Sequence, residues 1–413
     1  MEINTKINII DGGVTAAKGY MAASCAAEIK YKNREDMALV YCEEPATSAG
    51  VYTSNVVKAA PVLWDKKITD SNEKVRAMVF NSGIANACTG EKGYEVCRKT
   101  SEAVAEITKD KAENVLVAST GVIGMQIPVD KITDGVKVLL EKKDSSIVAG
   151  TNASKAIMTT DTINKEVAVS FTIGGKEVKM GGMSKGAGMI HPNMCTMLSV
   201  ITTDANIEKA LMQKALSEVV QDTFNMISVD GDTSTNDTLV LLANGQAGNE
   251  LIDKEDESYI IFKENLYFIC EYLAKKMAGD GEGATALFEA QVVNAASVKD
   301  AKLMARAVVS SSLSKAAIFG HDANFGRFLC AMGYSGAEFD QNDVELFFKS
   351  EVGELEVFKK GVPQEFDEEY ATKILSCDKV TIYIDMHEGD SKATAWGCDL
   401  SYDYVKINAD YRS

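Results

Sequence analysis

Residues 185–205 read KGAGMIHPNMCTMLSVITTDA, and they set one threonine, Thr196, between a Gly-rich loop and an apolar run (Met197, Leu198, Val200, Ile201) that reads as a buried strand. A hydroxyl at such a junction either satisfies backbone at a strand edge or serves as a nucleophile on a rigid platform. A threonine can use its own α-amino group as the base, but only when it is the first residue of a chain. That amine has a reference pKa near ~7.7–8.0, so a useful fraction is unprotonated at neutral pH. For Thr196 this requires breaking the Cys195–Thr196 bond. The hydroxyl can attack the Cys195 carbonyl, and water then resolves the ester. On spacing alone, an ordinary strand-edge threonine is the simpler reading.

Other chemistries find less support. The three histidines, His191, His321 and His387, form no H-x-x-x-H pattern and no close pair with cysteine, which argues against zinc. DGDTSTND (230–237) begins like a calcium loop with Asp230, Asp232 and Ser234, yet Thr235 stands where Gly is needed and Leu241 where the bidentate Glu belongs. It reads instead as a turn held by its own side chains, unless it borders a site. GDGEGATALFE (279–289) matches neither G-x-G-x-x-G nor a Walker loop, and its Glu282 is of more interest as a carboxylate on a tight turn. No G-x-S-x-G elbow is present, and the scarce histidines disfavour a Ser-His-Asp triad.

The elements that must position these residues alternate along the chain. Helical periodicity marks 98–110, 206–227, 263–279 and 298–318, and strand-like runs mark 74–81, 114–120, 197–203, 238–244 and 379–386. Gly clusters punctuate the turns NSGIANACTG, STGVIG, GGMSKGAGM and GDGEGAT. This mixed order predicts a layered α/β or α+β protein rather than one doubly wound sheet.

At 413 residues the length favours two or three domains. The formal net charge of -17 argues against nucleic acid or an anionic membrane as partner, while a local lysine can still receive an anionic small substrate. The opening MEINTKINIIDGG shows no basic-then-apolar signal, and no apolar run approaches a membrane span. Nine scattered cysteines without a CxxC pair fit reduced thiols, several of them, such as Cys25, serving as small core residues. The expected setting is cytoplasmic.

The stretch around Thr196 resembles the cleavage region of the ornithine acetyltransferase (glutamate N-acetyltransferase) family. Further family-like segments follow in order: NSGIANACTG (81–90), STGVIG (119–124), IMTTDT (157–162), SVDGDTSTNDT (228–238), GDGEGAT (279–285), FGHDANFGR (319–327) and INADYRS (407–413). The resemblance therefore covers essentially the whole chain. It implies an αββα-type layered sandwich of the ornithine acetyltransferase/DmpA-like kind, α+β or α/β in class, with a second α/β domain. It implies a precursor that cuts itself between Cys195 and Thr196 into an α chain (1–195) and a β chain (196–413) that stay together, with Thr196 as nucleophile.

The rest of the site carries over by the same resemblance. Thr120 and Gly121 match an oxyanion hole, a hydroxyl and a backbone N–H, where one donor is typically worth about 3–4 kcal/mol. Thr159, Lys185, Thr196, Glu282, Asn408 and Ser413 match substrate-binding positions. Lys185 suits a carboxylate, Glu282 suits the amino group of ornithine, and Asn408 and Ser413 lie where the tail closes over substrate. The implied reaction is a ping-pong transfer of acetyl from N2-acetylornithine to glutamate, releasing ornithine and N-acetylglutamate in arginine biosynthesis. No metal or organic cofactor is implied. Whether acetyl-CoA also serves as donor separates bifunctional from monofunctional members, and the residues leave this open. The family also implies αβ pairs that assemble into a heterotetramer.

Two positions depart from the family pattern. Cys195 stands where a small Ala is usual, and His191 where a small residue is expected. Cleavage is expected to persist, and His191 either tunes a nearby protonation or faces solvent. The rival enzyme is an aminopeptidase or amidase using the same kind of N-terminal nucleophile. A catalytically silent small-molecule binding protein, uncut, is the rival outside enzymes.

Overall fold

A computed structural model describes residues 6–191 and 197–410. These fall into two compact units, one of residues 6–186, 197–224 and 233–273, the other of 187–191, 225–232 and 274–410. The units do not follow the expected cut, because the first draws strands from both sides of it.

Numbering along the chain, the first unit holds β1 (Asn8–Ile10), β2 (Tyr20–Cys25), β3 (Met37–Tyr52), β4 (Val75–Asn81), β5 (Val115–Ser119), β6 (Lys165–Ile173), β7 (Lys176–Lys185), β8 (Leu198–Thr203) and β10 (Thr238–Ala243). Its helices are α1 (Ala60–Thr69), α2 (Gly90–Thr108), α3 (Val129–Lys142), α4 (Ile147–Ala156), α5 (Lys209–Val219) and most of α6 (Glu257–Gly279). The nine strands form one path, β1-β6-β7-β8-β10-β3-β4-β5, with β2 added beside β3.

The sixteen-residue β3 is the hinge of this arrangement. Its first part pairs with β2 and β4 and its last six residues pair with β10, across a register irregularity between Tyr41 and Ala46. Pro45 lies inside that irregularity, where a missing N–H does the least harm to the ladder. The two halves of the sheet then face each other. Ala38, Val40, Met78, Phe80 and Leu116 from one half share a core with Met183, Leu198, Val200, Val240 and Leu242 from the other. Side chains of alternate residues leave a strand on opposite faces, so Met37, Leu39, Ala77, Val79 and Val115 point away from that core. They pack with Val96 and Val104 of α2 and Ile132, Val136 and Leu139 of α3. On the far side, Ile269 and Leu273 of α6 lie over Gly182, close enough that a Cβ there would meet them at 3.2–3.3 Å. The result is helix, sheet, sheet, helix, the layered sandwich expected from the sequence.

The second unit holds β9 (Ile227–Ser228), β11 (Leu287–Ala295), β12 (Glu345–Ser350), β13 (Gly353–Lys359), β14 (Val362–Pro363), β15 (Lys379–Asp385) and β16 (Ser391–Cys398), in the order β14-β13-β12-β15-β11-β16-β9. Helix α7 (Val298–Ser310) packs across β11 and β16, α8 (Ser312–Phe319) and α9 (Phe325–Gly333) pack beside α7, α10 (Glu368–Leu375) lies beside β12, and α11 (Tyr402–Ala409) closes the described chain. Phe328 of α9 stands edge-on to Phe288 and Phe348, at 6.0 and 5.7 Å between ring centres, and so ties the helix to two strands. The single helix expected over 298–318 is two. Ser311 leaves the helical backbone region, ending α7 and capping α8 through its hydroxyl, which accepts from Ser314 N.

Candidate active site

In the first unit the site is built at the strand ends. Two turns, one after β4 and one after β5, are laced together. Thr120 N donates to Asn81 O (3.0 Å), Val122 N to Gly83 O (3.1 Å) and Ala85 N to Val122 O (3.0 Å). Gly121 lies between these rungs with φ +128°. A Cβ there would sit 2.2 Å from the Gly83 carbonyl carbon, so both the backbone angle and the close approach demand glycine. Asn236 braces the pair from beneath, its amide donating to Ser119 O (2.8 Å) and Ala85 O (2.5 Å).

Lys185, the last residue of β7, is buried, and its Nζ donates to Thr120 Oγ1 at 3.2 Å. Lys185 is thus a buried lysine at a strand end. Behind it lies a buried ion pair. Asp161 Oδ1 accepts from Lys165 Nζ (2.7 Å) and Gly186 N (2.7 Å), and Oδ2 accepts from Thr159 N (3.1 Å). Burial pushes the Asp161 carboxyl up, but the Lys185 and Lys165 charges with these hydrogen bonds outweigh it and hold the group at about 2. Thr159 thus meets this cluster through its backbone.

Thr196 and Cys195 lie outside the described residues, as does Ser413. Their neighbourhood in sequence is firmly held. Lys185 pairs with Leu198 across β7 and β8, and Thr238 N donates to Met197 O (2.7 Å). Every residue of β8 is buried, between β7 and β10. Next to Thr238, the buried Asp237 carboxyl is pushed well up by burial, against the opposing pull of the Ser234 and Thr53 hydroxyls, the Lys185 charge and the Met197 N–H.

The second unit holds the other half of the expected set. Glu282 is buried on the turn after α6, its N–H bonded to Ala187 O (2.8 Å). Asn408, on α11, donates to Glu282 Oε2 at 2.7 Å, so the tail does reach this carboxylate. Gly188 makes room for it, since a Cβ there would lie 2.4 Å from the carboxyl carbon. The 187–191 segment is stitched in place by the 228–232 turn. Asp230 accepts from Met189 N (2.6 Å) and Ile190 N (2.9 Å), and Val229 N donates to Ile190 O (2.6 Å). Burial raises the Asp230 carboxyl despite these donors. Asp230 also accepts from Asp232 N within the turn (3.2 Å), so its carboxylate serves both the turn and the 187–191 segment.

The His191 ring is half-buried and held by neighbours rather than free in solvent. Its Nε2 meets an Arg306 NH2 at 3.2 Å, and its Nδ1 meets Ser228 Oγ (3.1 Å) and Ser310 Oγ (3.4 Å). A guanidinium only donates, so Nε2 carries a lone pair and the ring proton sits on Nδ1. Burial first, and the Arg306 charge second, lower this histidine to about 4, with Asp232 pulling the other way.

Sequence reasoning missed Asp161, Lys165, Asn236, Asp237 and Arg306, and it met Asp230 only as a turn residue. Four of these six lie within segments already singled out, but the Asp161–Lys165 pair joins a loop to the start of β6, where four-residue spacing carries no helical signal. Arg306 lies 115 residues from His191 and had no local signal.

A layered αββα unit with two laced turns at its strand ends and a buried lysine beside them defines the class of protein, a layered α+β sandwich with a polar site at the ends of its strands. The comparisons narrow this. The family model described as "ArgJ family" matches residues 21–413, and the chain belongs to that family. It is 50% identical over 403 residues to arginine biosynthesis bifunctional protein ArgJ 1 of Clostridium acetobutylicum, covering 97% of each chain. It is 47% identical to the protein named arginine biosynthesis bifunctional protein ArgJ in Caldanaerobacter subterraneus subsp. tengcongensis, covering 98% of this chain and 100% of that one. A crystal structure of the ArgJ protein from Bacillus halodurans is 46% identical, with a TM-score of 0.48, over 50% of this chain and 96% of that one.

Proposed function

We propose that the chain cuts itself between Cys195 and Thr196 and then carries acetyl from N2-acetylornithine to glutamate as an ester on Thr196. At the coarser level, family membership makes it an acyltransferase of arginine biosynthesis that passes acetyl between ornithine and glutamate. The Thr196 α-amino group takes the hydroxyl proton as Oγ attacks the acetyl carbon. Thr120 Oγ1–H and Gly121 N–H stabilise the oxyanion, and the ornithine amine leaves with the proton. The glutamate amine then attacks the ester, returning the proton to Thr196 Oγ. Lys185 and Thr159 receive the substrate carboxylate, and Glu282 with Asn408 receives the ornithine side-chain amine, with Ser413 closing the tail. No cofactor takes part. Acetyl-CoA is a second acetyl donor, in keeping with the word bifunctional in the relatives' names.

The observation that carries this reading is Lys185 Nζ on Thr120 Oγ1 at the end of β7, in register with the start of β8. Strand pairing also supports a cut product that holds together. The β7–β8 ladder from Met180↔Thr203 to Lys185↔Leu198, and the β3–β10 ladder, both join residues before the cut to residues after it. Two such αβ pairs make the heterotetramer, and the setting is the cytoplasm; no helix among the described residues is long and apolar enough to cross a membrane.

Intact-protein mass under denaturing conditions, before and after N2-acetylornithine, tests the reading. Two chains split at Cys195–Thr196, with one acetyl gained on the second, are expected. Two chains without acetyl would favour an amidase, and a single uncut, unmodified chain would refute the Thr196 mechanism.

A further inference from the structure

Lys185 does more than wait for a substrate carboxylate. An ammonium has three donors and no acceptor, so in the 3.2 Å contact Thr120 Oγ1 must be the acceptor. A threonine hydroxyl has one proton. With Lys185 on a lone pair of Oγ1, that proton cannot point at Lys185 and must be given to another acceptor. The neighbouring positive charge also polarises the O–H bond and makes it a stronger donor. The lysine is itself held from both sides. Its backbone closes the β7–β8 ladder, and the next N–H, Gly186, donates to Asp161, whose carboxylate is clamped by fully buried Lys165.

We propose that Lys185 is a positioning residue for acyl transfer, its ammonium turning the Thr120 hydroxyl proton toward the reacting oxygen, with Asp161 and Lys165 as the anchor that keeps it there. This rests on the oxyanion reading of Thr120. It separates two roles of one lysine, binding a carboxylate and arming a hydroxyl. The second role operates even when no substrate carboxylate is present, including during self-cleavage, where the carbonyl attacked is that of Cys195.

The test is a double-mutant cycle of Thr120→Val and Lys185→Met in the full chain, with two readouts that contain no substrate carboxylate. One is the rate of self-cleavage of freshly refolded precursor. The other is acylation by p-nitrophenyl acetate, in which Thr196 Oγ bonds the acetyl carbon and nitrophenolate leaves. Thr120→Val is expected to slow both by about 100-fold, the usual weight of one oxyanion donor. Lys185→Met is expected to slow both by about 10-fold when Thr120 is present and by less than about twofold when it is Val. Thr120→Ser, which keeps the hydroxyl, restores the lysine's effect.

If Lys185→Met leaves both rates unchanged and only raises KM for N2-acetylornithine, or if the two effects multiply, the positioning role is refuted. A wild-type chain that is neither cut nor acetylated by either donor refutes the underlying function instead. Should Lys185→Met not fold, Asp161→Asn leaves the lysine present but loosened, and its cycle with Thr120→Val reads the same coupling.

Discussion

His191 offers a perturbation whose size follows from its surroundings. In the folded chain its pKa is lowered from 6.5 to about 4, first by burial and then by Arg306. The unfolded chain takes up a proton as the pH falls through 6.5, and the folded chain does not until about 4. Stability contributed by the neutral ring is therefore fully present at neutral pH and is lost as the medium is acidified across that window. At pH 5 the difference in proton uptake amounts to about 2 kcal/mol, and solvent access to a half-buried ring reduces this to about 1 kcal/mol. Replacing His191 by Gln keeps an acceptor for Arg306 and a donor for Ser228 but removes the titration. Urea unfolding of both proteins at pH 7 and pH 5 provides the assay, since the common titrations cancel in the comparison. The wild type should lose about 1 kcal/mol more than His191→Gln on acidification. Equal losses in the two proteins, or a larger one in the variant, would show that the ring titrates normally and that the Arg306 contact does not hold it neutral.

Two further substitutions bear on the site. Gly121→Ala must displace the Gly83 carbonyl, 2.2 Å from the new Cβ, while holding a φ of +128°. It is expected to cost at least about 3 kcal/mol and to abolish self-cleavage, as read by urea midpoint and intact mass; a variant that cuts itself at the wild-type rate would contradict the laced-turn geometry. Glu282→Gln keeps an acceptor for Asn408 but removes the charge offered to the ornithine amine. Its KM for N2-acetylornithine should rise about 10- to 100-fold, the weight of one charge-assisted hydrogen bond, while acylation by p-nitrophenyl acetate is unaffected.

Local patterns in the chain announced more of this molecule than pairings between distant segments. The strands at 75–81, 115–119, 198–203, 238–243 and 379–385 lie within the strand-like runs read from the sequence. The first four are almost wholly buried and have Gly or Asn near their ends, and the last keeps a buried apolar face. β3 carries no continuous strand signal because Glu43, Glu44 and Pro45 interrupt it, and its bridging of two half-sheets explains how one strand tolerates them. Helix α1 carries its sequence signal in Pro61 near its start, a position where the missing N–H costs nothing. At the site, Lys185 lies on Thr120, next to Gly121. The residues that hold them do not advertise themselves, because a buried Asp or Lys reads in sequence like any surface charge until its partner is found.

That difference bears on which residues set the chemistry. An ion pair with both side chains out of water, Lys165 with Asp161, gains little net stability over an apolar pair of the same size, because desolvation offsets the attraction. It is better accounted for by what it orders. Oδ1 takes both Lys165 Nζ and Gly186 N, and Oδ2 takes Thr159 N, so one carboxylate fixes the turn leaving β7 and the loop carrying Thr159 together. Replacing Lys165 and Asp161 jointly by Met and Leu should therefore leave the urea midpoint nearly unchanged while slowing self-cleavage and acetyl transfer. Replacing Lys165 alone strands the carboxylate and should cost about 3–5 kcal/mol. A double replacement that keeps full activity would show that the pair is retained for packing alone.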